Sequence, residues 1–280
     1  MASFIIHTIV GETLLNEIER KYNVTISDYN RKHFLLGNLI PDSLKTDKTI
    51  PSTLKEDEIT AYKIEIKNKI RHEKLTTHFR NPEKEGDCLK IPDTSRFISK
   101  YESLIQKDIS VLGYLFHLYT DRIFFSKLFP ETFDSLGFNK EPVNTDNELV
   151  YIRIKKNNQL VDAKEFWAGT STYNIYNDYT VMNKILLERF STSFNLEDFI
   201  NYAQEYFINP GIKEVSYEKI IKLLKDTHKY IEESFQQEEK ELKVFTETQI
   251  IEFVHYVVEQ FMIEYEYILN MFEQEKKKTK

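Results

Sequence analysis

One cysteine, seven glycines and seven prolines in 280 residues leave this chain few means of cross-linking loops or breaking helices. The lone Cys88 excludes an intrachain disulfide and a cysteine-based zinc cluster, and it fits a reducing compartment. So few Gly and Pro favour long helices over a loop-rich or all-β fold. The chain has no stretch of about twenty apolar residues, so no transmembrane helix is expected. Residues 1–10 lack the basic start and small-residue cleavage site of a secretory signal, which leads us to expect a cytoplasmic protein with no stable membrane insertion. Basic charge is scarce too. The formal net charge is -7 with a pI near 5.6, and the only basic run is Lys276 to Lys278. An acidic surface repels phosphate backbones, which weighs against nucleic acid as a partner.

Apolar bulk, by contrast, is plentiful: 20 Phe and 17 Tyr can stock one large core. The length allows a single helical domain over residues 1–280. Helices are expected over 4–20, 28–40 with Asp28 as N-cap, 56–74, 95–106, 108–126, 178–190, 194–207, 215–236 and a long one over 246–275. Thr246 and Gln249 have the spacing of a capping box for the last. Residues 145–177 read as an insertion. In it, residues 149–155 alternate like a strand, Asn157-Asn158 offers a tight turn, and residues 159–162 complete a β-hairpin. Residues 167–176 read as loop. The fold class is therefore mostly α, a multi-helix bundle with a small hairpin near 149–162.

The strongest chemical signal is Gly113-Tyr114-Leu115-Phe116-His117-Leu118-Tyr119-Thr120-Asp121. His117 and Asp121, four residues apart on an apolar helix, share one face and can converge on an ion. A buried Asp needs a partner, so the pair reads either as metal ligands or as a structural His–Asp hydrogen bond. Gly37-Asn38-Leu39-Ile40-Pro41-Asp42 puts a carboxylate at a Pro-fixed turn, a position that turn or cap residues also occupy. Thr76-Thr77-His78-Phe79-Arg80 puts a His at another helix end. His33 and His72 lie in polar surroundings and read as exposed.

Taken in order, an apolar His near the N-terminus, Gly-x-x-x-Pro-Asp, His-Phe and Gly-Tyr-x-x-His-x-x-x-Asp resemble the zinc-dependent phospholipase C superfamily, which includes single-strand nucleases. The resemblance covers roughly the first 125 residues. It implies a phospholipase C/nuclease-like helical bundle holding one to three zinc ions. Asp42, His78, His117 and Asp121 would be ligands of the first ion, with His7 joining Asp121 at another. Two imidazoles and two carboxylates satisfy the usual four-coordination of zinc, although iron or manganese suits an oxygen- and nitrogen-rich site as well. The chain departs from the family's pattern in two places. It starts Met1-Ala2-Ser3 where secreted members present a processed Trp, and no His occurs between Asp121 and His228. His255 and Glu259 resemble the family's later His-x-x-x-Glu pair and are the candidates for a further ion, to which His228, with Asp226 nearby, could add a third ligand.

The function expected on this basis is metal-dependent hydrolysis of a phosphoester or phosphodiester by metal-activated water. Asp42 is the candidate for orienting or deprotonating that water, and Arg80 and Tyr176 for touching substrate. The substrate would be a small phosphoester or a phospholipid headgroup. The alternative is a non-catalytic metal-binding helical protein with a structural zinc, since four protein ligands also make a closed site.

Overall fold

The computed structural model describes residues 3–46, 55–190, 195–235, 241–270 and 272. Helix α1 (Phe4–Tyr22) begins at Ser3, whose hydroxyl accepts from the Ile6 amide. It is buried along nearly its whole first half, as its apolar sequence demands. Helix α2 (Asp28–Leu39) starts from Ser27, one residue before the expected cap, and runs into a short 3-10 turn (Ile40–Asp42) at Pro41. Helix α3 (Glu56–Thr77) ends at His78, α4 (Thr94–Ile105) is capped by Asp93, and α5 (Ile109–Ile123) is capped by Asp108.

The centre of the molecule is the contact of α2 with α5. A Cβ on Gly37 would stand 2.0 Å from the Ser110 carbonyl oxygen, and one on Gly113 would stand 2.1 Å from that of Phe34. Only glycine permits so close an approach, and it draws the polar ends of both helices together. After Ile123 the chain stays helical through a π turn (Phe124–Leu128) and a short α6 (Phe129–Thr132).

The expected hairpin is present as β2 (Tyr151–Ile154) and β3 (Gln159–Asp162), with Asn158 in the left-handed region at φ 56°. An unexpected strand, β1 (Phe133–Leu136), adds to β2, so the hairpin is the outer part of a three-stranded antiparallel sheet, order β1-β2-β3. Four residues directly after a helix are too short for alternation to register in the sequence.

The second half is again helical: α7 (Ala163–Ala168), α8 (Ile175–Arg189), α9 (Leu196–Tyr206), α10 (Ile220–Phe235), α11 (Glu247–Glu264) and α12 (Glu266–Leu269). Thr246 and Gln249 do form a capping box. The single long helix expected after it is interrupted at Tyr265, and residues 273–275 lie outside the described residues. Helix α7 occupies the start of the expected loop. Helix α8 is capped by Asn174, and Asp178 in its first turn accepts from the amides of Lys243, Val244 and Phe245, pinning that stretch of chain to α8. Helix α11 packs across α5, with the Phe261 ring 4.8 Å from Phe116 and 5.2 Å from Tyr119. Among the described residues, no helix is long and apolar enough to cross a membrane.

Candidate metal centre

Four elements deliver five ligand-type side chains to one place. His7 comes from the first turn of α1, Asp42 from the end of the 3-10 turn, His78 from the C-cap of α3, and His117 and Asp121 from α5. His7, His78, His117 and Asp121 are 0% exposed, and the Asp42 side chain is 19% exposed. The helical spacing of His117 and Asp121 puts Nε2 and Oδ2 4.0 Å apart.

The remaining separations are tighter. His78 Nε2 lies 3.3 Å from His117 Nε2, 3.6 Å from Asp121 Oδ2 and 3.6 Å from Asp42 Oδ1. His7 Nε2 lies 3.5 Å from Asp121 Oδ1, and the His7 and His117 rings stack with centroids 3.8 Å apart. Zinc holds its ligands at about 2.0–2.1 Å, which for a tetrahedron puts neighbouring donors roughly 3.3–3.4 Å apart. The donors of this cluster stand at or just beyond that spacing. Two overlapping trios, His78–His117–Asp121 and His7–Asp42–His117, each keep all their donor atoms within 4.8 Å of one another.

The protonation pattern also suits a cation. His117 Nδ1 lies 2.8 Å from the Asn38 carbonyl, which only accepts; Nδ1 therefore carries the proton and Nε2 presents its lone pair to the cluster. His78 Nδ1 lies 2.9 Å from the Thr77 hydroxyl. When His78 donates there, its Nε2 lone pair faces that of His117 across 3.3 Å, and something positive must lie between them. With the proton on Nε2 instead, His78 donates to His117 and the cluster is satisfied as a hydrogen-bonded pair. His7 Nδ1 and Asp42 Oδ1 are buried and meet no hydrogen-bond partner among the described residues.

Burial, aided by the neighbouring His7, lowers His117 to about 4, and burial likewise lowers His78 well below the usual histidine range. Burial opposes ionisation of Asp42, but the Lys74 ammonium and the surrounding imidazoles outweigh it and hold the carboxyl at about 2. At neutral pH His78 and His117 are thus uncharged and Asp42 is a carboxylate, so protons compete little with a metal.

The backbone frame explains the convergence. The Asn38 side chain donates to the His7 carbonyl at 2.5 Å while its own carbonyl receives His117, so one residue ties α1, α2 and α5 together. Neither Asn38 nor Thr77 was singled out from the sequence. The signal for Asn38 is a polar residue inside the apolar run Gly37 to Ile40; Thr77 beside Thr76 carries no signal at all.

Other expected candidates stand elsewhere. His255 and Glu259 both lie on the exposed side of α11, because Val254, Val257 and Val258 take its buried face, and neither belongs to either trio. His228 is turned to Glu232 at 3.4 Å. Tyr176 is 52% exposed. Tyr179, three residues on, is raised well above the usual tyrosine range by burial and by the charges of Asp121 and Asp42. His33 is 7% exposed rather than open to solvent, because α9 covers it: its Nδ1 lies 3.1 Å from the Tyr202 hydroxyl and its Nε2 3.6 Å from Asp108. His72 is exposed as expected.

No protein-family model, no curated protein and no solved structure matches this chain.

Proposed function

We propose that the chain is a metal-dependent hydrolase of a phosphoester or phosphodiester, a cytoplasmic enzyme carrying one to three zinc ions on His7, Asp42, His78, His117 and Asp121. The single observation that carries this reading is the convergence of three imidazoles and two carboxylates from four elements at donor separations of 3.3 to 4.0 Å. The resemblance of the first 125 residues to the zinc-dependent phospholipase C superfamily points to the same chemistry. Zinc held by these residues would lower the pKa of a coordinated water to roughly 7 and supply a nucleophile at neutral pH.

The residues divide the remaining work. His78, His117 and Asp121 are sealed in the core and fix position. Asp42 is the one member of the cluster with part of its side chain open, so it is the group that orients or deprotonates an incoming water. Lys74, 3.6 Å from Asp42, keeps that carboxylate ionised.

A second reading has its own observation. Four of the five side chains are fully buried, as in a structural zinc site with no open position. Metal-loaded protein should be assayed on an aryl phosphomonoester and an aryl phosphodiester, beside Asp42→Asn. The hydrolase reading expects turnover that falls at least a hundredfold in Asp42→Asn, the span general acid–base catalysis covers, while metal content persists. Loaded protein inert on both esters, yet stabilised by its metal, would leave the structural reading standing.

A further inference from the structure

Beside the cluster lies a cleft of about 510 Å³, and five basic side chains against three acidic ones line it. None of the five cluster residues lines the cleft; Arg80 does, two residues from His78, and it also lines a second cleft of about 500 Å³.

Arg80 is held in place by its backbone. Phe79 sits in the left-handed region at φ 51°, a costly conformation for a bulky residue. Packing stabilises it: Phe79 is buried and edge-on to Phe97 at 5.0 Å. The left-handed turn closes α3 in a Schellman-type cap, with the Arg80 amide donating to the Leu75 carbonyl at 3.0 Å. The Arg80 carbonyl accepts from Arg96 at 3.2 Å.

The guanidinium is differently provided for. Three other cations of the cleft are engaged: Arg71 with Glu85, Lys90 with Asp146, and Arg122 with Glu264. Arg80 makes no ion pair among the described residues, and its buried Nε has no hydrogen-bond partner there. The Phe125 ring lies 5.9 Å from it. Arg80 follows His78, at the end of α3, by two residues. A forked cation with unused donors, between a basic cleft and a metal-type cluster, matches a phosphate group in geometry and sign.

We infer that Arg80, with the basic cleft it lines, selects the substrate: it grips the phosphate oxygens of a small phosphomonoester bearing more than one negative charge. This specificity rests on the hydrolase reading and narrows it. Arg80 and Lys84 are the cations of the cleft that make no ion pair among the described residues, and together they favour a dianion over a substrate with a cationic headgroup. Its volume is that of a small-molecule pocket, about 300–1,000 Å³.

The test is calorimetric titration of inorganic phosphate into native protein, Arg80→Gln, Arg80→Lys and Lys84→Gln, each zinc-loaded and chelator-stripped, with metal content measured alongside. Native loaded protein should bind phosphate. Arg80→Gln should weaken binding at least tenfold at unchanged metal content, Arg80→Lys less, and the exposed Lys84→Gln least. Phosphate binding that is equal in native and Arg80→Gln protein, or absent from native loaded protein, overturns the inference. If native protein takes up no metal, the hydrolase reading fails by itself. Phosphate binding to the stripped protein that Arg80→Gln removes would still uphold the anion site, and no binding would end it. Should Arg80→Gln misfold, the comparison passes to Arg80→Lys and Lys84→Gln, and phosphate affinity unchanged in both overturns the inference.

Discussion

The same sequence spacing, a histidine with a carboxylate four residues later, occurs at His117–Asp121, His228–Glu232 and His255–Glu259. The three differ in everything but spacing. His228 and Glu232 are closer together, at 3.4 Å, than His117 and Asp121, at 4.0 Å, yet their side chains are 44% and 64% exposed. His255 and Glu259 lie on the solvent side of α11. Water and mobile side chains can satisfy the exposed pairs. His117 and Asp121 have no water to turn to, and three further elements bring them His7, Asp42 and His78 instead. A helical pair becomes a centre only when other parts of the fold remove its solvent and replace it with ligands.

The sharpest contrast is in metal binding. His117→Ala or Asp121→Ala should weaken zinc by more than about 100-fold, beyond the 10–100-fold typical of losing an outer-shell partner. Equilibrium dialysis with a competing chelator measures it. Zinc retained in either variant would dissolve the distinction between the pairs.

The glycine contact that assembles the buried pair gives the next effect. Gly37→Ala drives a methyl into the Ser110 backbone and should cost upwards of about 3 kcal/mol, in the exceptional range for one substitution. Gly86→Ala meets nothing within 4 Å and should be close to neutral. Urea midpoints of the two variants check both statements.

Acid separates the regions as well. His117 is held neutral down to about 4 by burial, against about 6.5 in an unfolded chain. The unfolded state therefore takes up the proton first. In metal-free protein the associated stability is complete above pH 6.5 and is lost as pH falls toward 4, on the order of 3 kcal/mol for this one side chain. His78, also depressed by burial, adds to the loss. Metal-free stability that stays flat from pH 6.5 to 4 would contradict the buried, neutral state of both imidazoles.

Thr77→Val removes the hydroxyl that fixes the His78 ring and should weaken zinc about 10-fold. At the small end, His255→Ala and Glu259→Ala should leave metal content unchanged and shift stability by no more than about 0.5 kcal/mol.

Much of the centre was legible before folding. His117 and Asp121 stood out by helical spacing on an apolar helix, whereas a Pro-fixed turn and a helix end say little alone, and Asp42 and His78 were candidates through the family resemblance. His7, too, was a candidate only through that resemblance. What linear sequence could not say is which side of a helix another element would cover. His33 sits among polar neighbours in sequence but under Tyr202 in the fold, and α11 turns its valines inward and His255 outward. Strand β1 escaped notice because its four residues pair with β2 fifteen positions later, and pairing leaves no mark on a segment so short. The mostly α class followed directly from the scarcity of breakers and the apolar periodicity.

The central claim is that the five clustered side chains hold metal. Zinc per chain, measured by atomic emission on protein purified without chelators or a metal-binding tag, tests it most directly. The account predicts at least one equivalent in native protein and none in a His117→Ala, Asp121→Ala double variant that still folds. Native protein that carries no zinc, and takes up none when zinc is added, would contradict it and leave the cluster a hydrogen-bonded part of the core.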